Sequence, residues 1–133
     1  MVIDTSAIVA AIAGEPDSTR YRDAIKNADI RLLSAVTFLE TRIVLFARLG
    51  PPAVAALSDL IDQAAITVVP FDLPLAEVAF EAYRRYGKGR GHPAQLNIVD
   101  CAVYALARSR GLPLLFKGND FARTDVTAAL GSS

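Results

Sequence analysis

Short apolar runs alternate along this chain with longer stretches in which apolar residues recur every three to four positions. Met1-Val2-Ile3 is the first run. It stops at Asp4-Thr5-Ser6, residues that favour helix entry, before the apolar Ala7 to Ile12. The pattern predicts a strand and then a helix. Gly14 and Pro16 punctuate it, and Asp17-Ser18 opens a second helix through about Asn27, with Tyr21, Ala24 and Ile25 on its apolar side. Ile30 to Leu33 reads as a second strand. Ser34 can cap a third helix reaching Leu49, where Gly50-Pro51-Pro52 forces a turn into a fourth helix ending near Ala64, so that the two form a hairpin. Ile66 to Val69 is the next strand, and a helix from Leu73 or Pro74 carries Val78, Ala79, Ala82 and Tyr83. Gly87 to Pro93 can sustain neither helix nor strand and is read as a loop. A helix from about Asn97 to Arg110 stops at Gly111, Leu114-Leu115-Phe116 is a buried-type strand, Lys117 to Asp120 is a loop, and Val126 falls in an expected last strand.

Short apolar strands alternating with helices predict an α/β fold of three layers, with a mainly parallel central sheet flanked by helices on both faces. The 133 residues suit a single domain over 1–130, and 131–133 form a short tail, either a natural end or a cloning remnant. With 53% hydrophobic and 21% charged residues and no run of about twenty apolar positions, the expected class is a soluble globular protein rather than a membrane span or a disordered tail. Basic and acidic residues balance at 14 each, so any polyanion must be attracted by local clusters. One cysteine, Cys101, excludes an internal disulfide, and no charged-then-apolar leader precedes the first strand. Both point to a cytoplasmic setting.

In open parallel sheets the functional crevice lies beyond the carboxyl ends of the strands. Asp4 and Asp120 directly follow strands, Glu40 sits in the second turn of the helix after strand two, and Asp100 in the first turn of the helix entered from the Gly-rich loop. Each also has an ordinary structural explanation. Asp4 can cap the first helix. Asn97 and Asp100 have the spacing of a capping box. Asp120 lies in a Gly-Asn-Asp turn. Glu40 is surrounded by Phe38, Leu39, Ile43, Val44, Leu45 and Phe46, where an unpaired carboxylate would be costly, and Arg42 is two residues away and faces elsewhere. Two unit charges about 4 Å apart repel by roughly 4 kcal/mol at an effective dielectric near 20. Four carboxylates at one rim therefore call for a cation. Oxygen-only ligands suit Mg²⁺ or Mn²⁺, and the absence of a Cys or His pair argues against Zn²⁺. Such a site suits phosphodiester hydrolysis. Thr5, Ser6 and Asn97 are expected to orient a carboxylate or a water molecule from behind. Cys101 reads as core, and the single histidine, His92, has no evident nucleophilic partner.

Four stretches carry a resemblance: Val2 to Ala7, Ser34 to Glu40, His92 to Cys101, and Leu114 to Phe121. In order and spacing they resemble the PIN-domain ribonucleases, and within them the VapC toxins of bacterial toxin-antitoxin pairs. The resemblance implies a PIN-like sheet flanked by helices, an acidic pocket of Asp4, Glu40, Asp100 and Asp120, Mg²⁺ or Mn²⁺ dependence, and endonucleolytic cleavage of RNA. It also implies a homodimer and a VapB-type antitoxin that blocks the pocket in a hetero-oligomer. Thr124-Asp125 follows the last motif as in that family, which makes Asp125 a candidate auxiliary carboxylate.

Arg84, Arg85, Lys88, Arg90 and His92 form a basic stretch that runs into the motif of Asp100 and is expected to contact RNA phosphates. The helical hairpin from Val36 to Leu60 is rich in apolar residues, as ordinary core or as a groove for an antitoxin helix or a second copy. Two other functions fit less well. An aspartyl-nucleophile phosphatase or phosphotransferase would favour Asp-x-Asp where this chain has Asp4-Thr5-Ser6, and a catalytically idle binding module would be expected to lose acidic positions that are intact here.

Overall fold

A computed structural model describes residues 1–131; Ser132 and Ser133, the end of the expected tail, lie outside the described residues. The chain runs β1 (Val2–Ile3), α1 (Thr5–Ile12), α2 (Ser18–Asn27), β2 (Leu32–Ser34), α3 (Ala35–Leu49), α4 (Pro51–Gln63), β3 (Thr67–Val69), α5 (Leu73–Tyr86), α6 (Ile98–Arg110) and β4 (Leu114–Leu115). The strands form one parallel sheet in the order β3-β2-β1-β4.

Register and the two-residue side-chain period explain the layers. Val2 pairs with Leu32 on one side and Leu114 on the other, and all three point into a core shared with α5 and α6, including Tyr86, Leu96, Val103 and Leu106. The next residues along, Ile3, Leu33 and Leu115, point the opposite way, into a core with Ile8 of α1, Ile25 of α2, Leu45 of α3 and Leu57 of α4. Both faces of β1, β2 and β4 are thus covered, which is why these strands are short continuous apolar runs, whereas the edge strand β3 exposes Thr67 and Val68.

Local chemistry sets the boundaries. Asp4 caps α1, Ser34 caps α3 by accepting from the Val36 amide, and Asp72 caps α5 by accepting from the Leu75 amide. Gly111 ends α6 in the left-handed conformation, at φ 62°, where a side chain would be strained. The second strand begins at Leu32, since Ile30 is exposed, and it extends to Ser34, which is at once the last strand residue and a cap. The expected last strand around Val126 does not form among the described residues. Ala128 makes one isolated bridge to Leu114, with the Leu114 amide donating to the Thr127 carbonyl and the Ala129 amide to the Leu114 carbonyl. In α5, Tyr83 is partly exposed at 40%, and the buried tyrosine is Tyr86. No helix among the described residues is long and apolar enough to cross a membrane.

Candidate active site

The carboxyl ends of β1, β2 and β4 open onto one depression of about 360 Å³, lined by Asp4, Glu40, Asp100 and Asp120 together with Thr5, Ser6, Val9, Glu15, Val44, Arg48, Asn97 and Lys117. The four carboxylates expected at a shared rim are brought together there. Asp4 is buried, Glu40 and Asp100 are half-buried, and Asp120 is exposed.

Capping and pocket placement coincide in the same side chains. The Asp4 carboxylate accepts from the Ser6 amide at 3.1 Å and from the Ser6 hydroxyl at 2.6 Å, while Ser6 Oγ in turn accepts from the Lys117 amide at 2.9 Å. Ser6 therefore ties the carboxylate after β1 to the loop after β4. At the head of α6, the Asn97 side chain accepts from the Asp100 amide at 2.8 Å and the Asp100 carboxylate accepts from the Asn97 amide at 3.0 Å, a full capping box. The Thr5 hydroxyl shares a buried 3.0 Å hydrogen bond with that of Thr41, which docks α1 against α3 beside Glu40.

Burial pushes the Asp4 carboxyl above its ordinary range, opposed by its two bonds to Ser6 and reinforced by the charges of Glu40 and Asp120. Asp100 is pushed up to about 6, first by burial, against the Asn97 amide bond, and further by Asp120, Asp4 and Glu40. Asp4 and Asp100 are thus each held toward the protonated form, chiefly by burial and secondarily by the charges of their neighbours. In the conformation described, no three Asp, Glu, His or Cys side chains among the described residues stand close enough to hold an ion together. Neither Glu40 nor Asp120 enters an ion pair among the described residues. An oxygen-only donor set lining one depression fits a hard divalent cation.

Several expectations need correction. Glu40 is not sealed among apolar neighbours: Leu39, Ile43 and Phe46 are exposed, and Arg42 lies over the Phe38 ring, 5.4 Å from its centroid. Asp125 does not reach the pocket. It accepts a 2.6 Å hydrogen bond from Tyr104 and pairs with Arg85 at 3.4 Å; the tyrosine bond holds its carboxyl below the ordinary range. The basic stretch is also displaced, since Arg84, Arg85, Lys88, Arg90 and His92 do not line the acidic pocket. Arg84, Arg85 and Arg90 border a separate depression with Tyr104 and Arg108. Their loop is pinned rather than loose: the Lys88 amide donates to the Leu96 carbonyl, the Leu96 amide to the Tyr86 carbonyl, and His92 packs edge-on against Tyr86.

Three pocket residues escaped the sequence reading. Lys117 is paired with Glu15 and, at 3.1 Å, with Asp17, which fastens the α1–α2 connection to the loop after β4. Arg48 had a visible signal, because Glu40, Val44 and Arg48 are spaced by four and share one face of α3. Glu15 had none, since its place depends on the chain path after α1.

Residues 1–126 match the PIN domain family. The chain belongs to that family. Ribonuclease VapC28 of Mycobacterium tuberculosis is 48% identical to this PIN domain over 130 residues, covering 98% of each chain. Ribonuclease VapC30 of the same organism is 48% identical over 131 residues, covering 98% of this chain and 99% of its own. Among solved structures, M. tuberculosis VapC20, a sarcin-ricin loop cleaving toxin, matches with a TM-score of 0.78 and 21% identity over 95% of both chains. That likeness is one of fold, and it agrees with the α/β architecture of this PIN domain.

Proposed function

We propose that this PIN domain is the toxin of a toxin-antitoxin pair and an endoribonuclease that hydrolyses RNA with Mg²⁺ or Mn²⁺ at the acidic pocket. The observation that carries the reading is the meeting of Asp4, Glu40, Asp100 and Asp120 in one depression, in a chain whose relatives at 48% identity are named VapC ribonucleases. PIN-domain ribonucleases generally depend on divalent metals, and VapC toxins pair with antitoxins. The relatives' names favour RNA cleavage over the aspartyl phosphatase alternative, and four intact carboxylates favour an enzyme over an idle binding module.

Asp4 and Asp100 are assigned as the principal ligands, with Glu40 and Asp120 completing the set. A divalent cation bound there would acidify a water molecule for attack on phosphorus and neutralise charge developing on the phosphodiester. The chain's own part is positioning. Ser6 holds the Asp4 carboxylate with two donors, Asn97 holds that of Asp100, and the Thr5–Thr41 bond fixes the helix that carries Glu40. All three are assigned as supports rather than ligands.

For partners, the reading includes a VapB-type antitoxin, a homodimer and a cytoplasmic setting. Supporting the protein contacts, Leu39, Ile43 and Phe46 leave an exposed apolar stripe at i, i+4, i+7 along α3, and Phe71, Phe80, Tyr83 and Ile98 border an apolar groove of about 490 Å³. Incubating purified protein with RNA and mapping the fragment ends tests the activity. Internal cleavage by wild type and none by Asp4→Asn is expected; equal cleavage by both would remove Asp4 from the mechanism.

A further inference from the structure

Two cationic side chains, Arg48 and Lys117, line the acidic pocket, and their circumstances differ. Lys117 is committed to Glu15 and Asp17, which hold its ammonium above the ordinary lysine range. Arg48 is exposed and enters no ion pair among the described residues. It belongs to the last turn of α3 and shares a face with Val44 and Glu40, both of which border the same depression. Eight residues of helix separate the Glu40 and Arg48 Cα atoms by about 12 Å, and helical side chains lean toward the N-terminus, so Arg48 leans back toward Glu40.

That placement meets a need of the proposed reaction. A strand of RNA approaching four carboxylates brings several phosphates, and those flanking the bond to be cut are repelled by the rim. A free guanidinium at the side of the pocket offers such a phosphate a two-pronged, charge-assisted hydrogen bond, with affinity that does not depend on base sequence. None of the basic residues from Arg84 to His92 lines this pocket, and Arg84, Arg85 and Arg90 border a separate depression.

We propose that Arg48 is a substrate-binding residue that grips an RNA phosphate flanking the one hydrolysed, seating the strand along the α3 side of the acidic pocket. This rests on the ribonuclease reading. The competing role for Arg48 is electrostatic, as a cation complementing the C-terminal end of the α3 dipole. A dipole role affects stability; a phosphate contact affects substrate affinity and its salt dependence.

The test is steady-state cleavage of an RNA oligonucleotide in Mg²⁺ between 50 and 200 mM salt, with thermal midpoints measured alongside, for wild type, Arg48→Ala, Arg48→Lys, Arg84→Ala and Asp4→Asn. Arg48→Ala should raise KM about tenfold, with kcat within about twofold of wild type. It should also flatten the slope of log(kcat/KM) against log[salt] by about 0.7, the share of one phosphate contact on a single strand. Arg48→Lys should recover the salt slope and part of the KM. Arg84→Ala should match wild type. Unchanged KM and slope in Arg48→Ala, whether or not its midpoint falls, would overturn the inference while leaving the ribonuclease reading intact. Wild type no more active than Asp4→Asn would overturn that reading, and this inference with it.

Discussion

Asp100 closes the capping box of α6 and faces the acidic pocket with the same carboxylate, so its ionisation couples local helix stability to the site. Its carboxyl is pushed up to about 6, above its unfolded value of 3.8, so folding favours the protonated form. The stabilisation is fully present below pH 3.8 and is lost as pH rises through 6. At pH 7.5, in chelator, Asp100→Asn should therefore raise the thermal midpoint by about 3–6 °C, the partial exposure of the carboxylate having been allowed for, and the gain should vanish near pH 4. Asparagine keeps an oxygen for the Asn97 amide, so the cap survives. Calorimetry at the two pH values checks it, and a midpoint lowered at pH 7.5 would show that the carboxylate's bond to the Asn97 amide outweighs the cost of burying its charge. Capping chemistry at Asp4, Ser34 and Asn97 was legible from residue types alone. The burial of Glu40 was not, because Leu39, Ile43 and Phe46 have the composition of a core yet face outward.

Between elements, the site depends on ties that join distant parts of the chain. Ser6 bonds the Lys117 amide, and the Lys117 ammonium bonds Glu15 and Asp17, so the start of α1, the α1–α2 connection and the loop leading to Asp120 are tied together. Lys117→Met should free that loop and lower kcat about tenfold or more with little change in KM, because misplacement of a catalytic group costs rate rather than affinity. Rescue by Lys117→Arg would separate loss of the tie from loss of packing, and a rise in KM alone would contradict this role. Strands and helices were readable because short continuous apolar runs alternate with longer stretches in which apolar residues recur every three to four positions. Element ends were less so. Ser34 serves as both strand end and cap, and the segment near Val126 contributes one bridge rather than a ladder, a distinction set by pairing partners far away in sequence. The Glu15–Lys117 contact spans 102 residues, and no local pattern encodes it.

At the scale of the molecule, the parallel sheet gathers the carboxyl ends of β1, β2 and β4, and with them four carboxylates, two of which burial holds toward the protonated form. The α/β architecture and the acidic set were both legible before any coordinates, the set because caps explain single members but not their convergence. The cations of the pocket, Arg48 and Lys117, were not, since charge balance is even over the chain and the densest basic stretch borders a separate depression. On the proposed reading these carboxylates cut RNA only with a divalent cation. Cleavage by chelator-treated protein, followed by return of Mg²⁺ or Mn²⁺, tests it most directly. Wild type should be inactive in chelator and recover with either ion, while Asp4→Asn stays inactive at every ion concentration; cleavage that persists in chelator would contradict it.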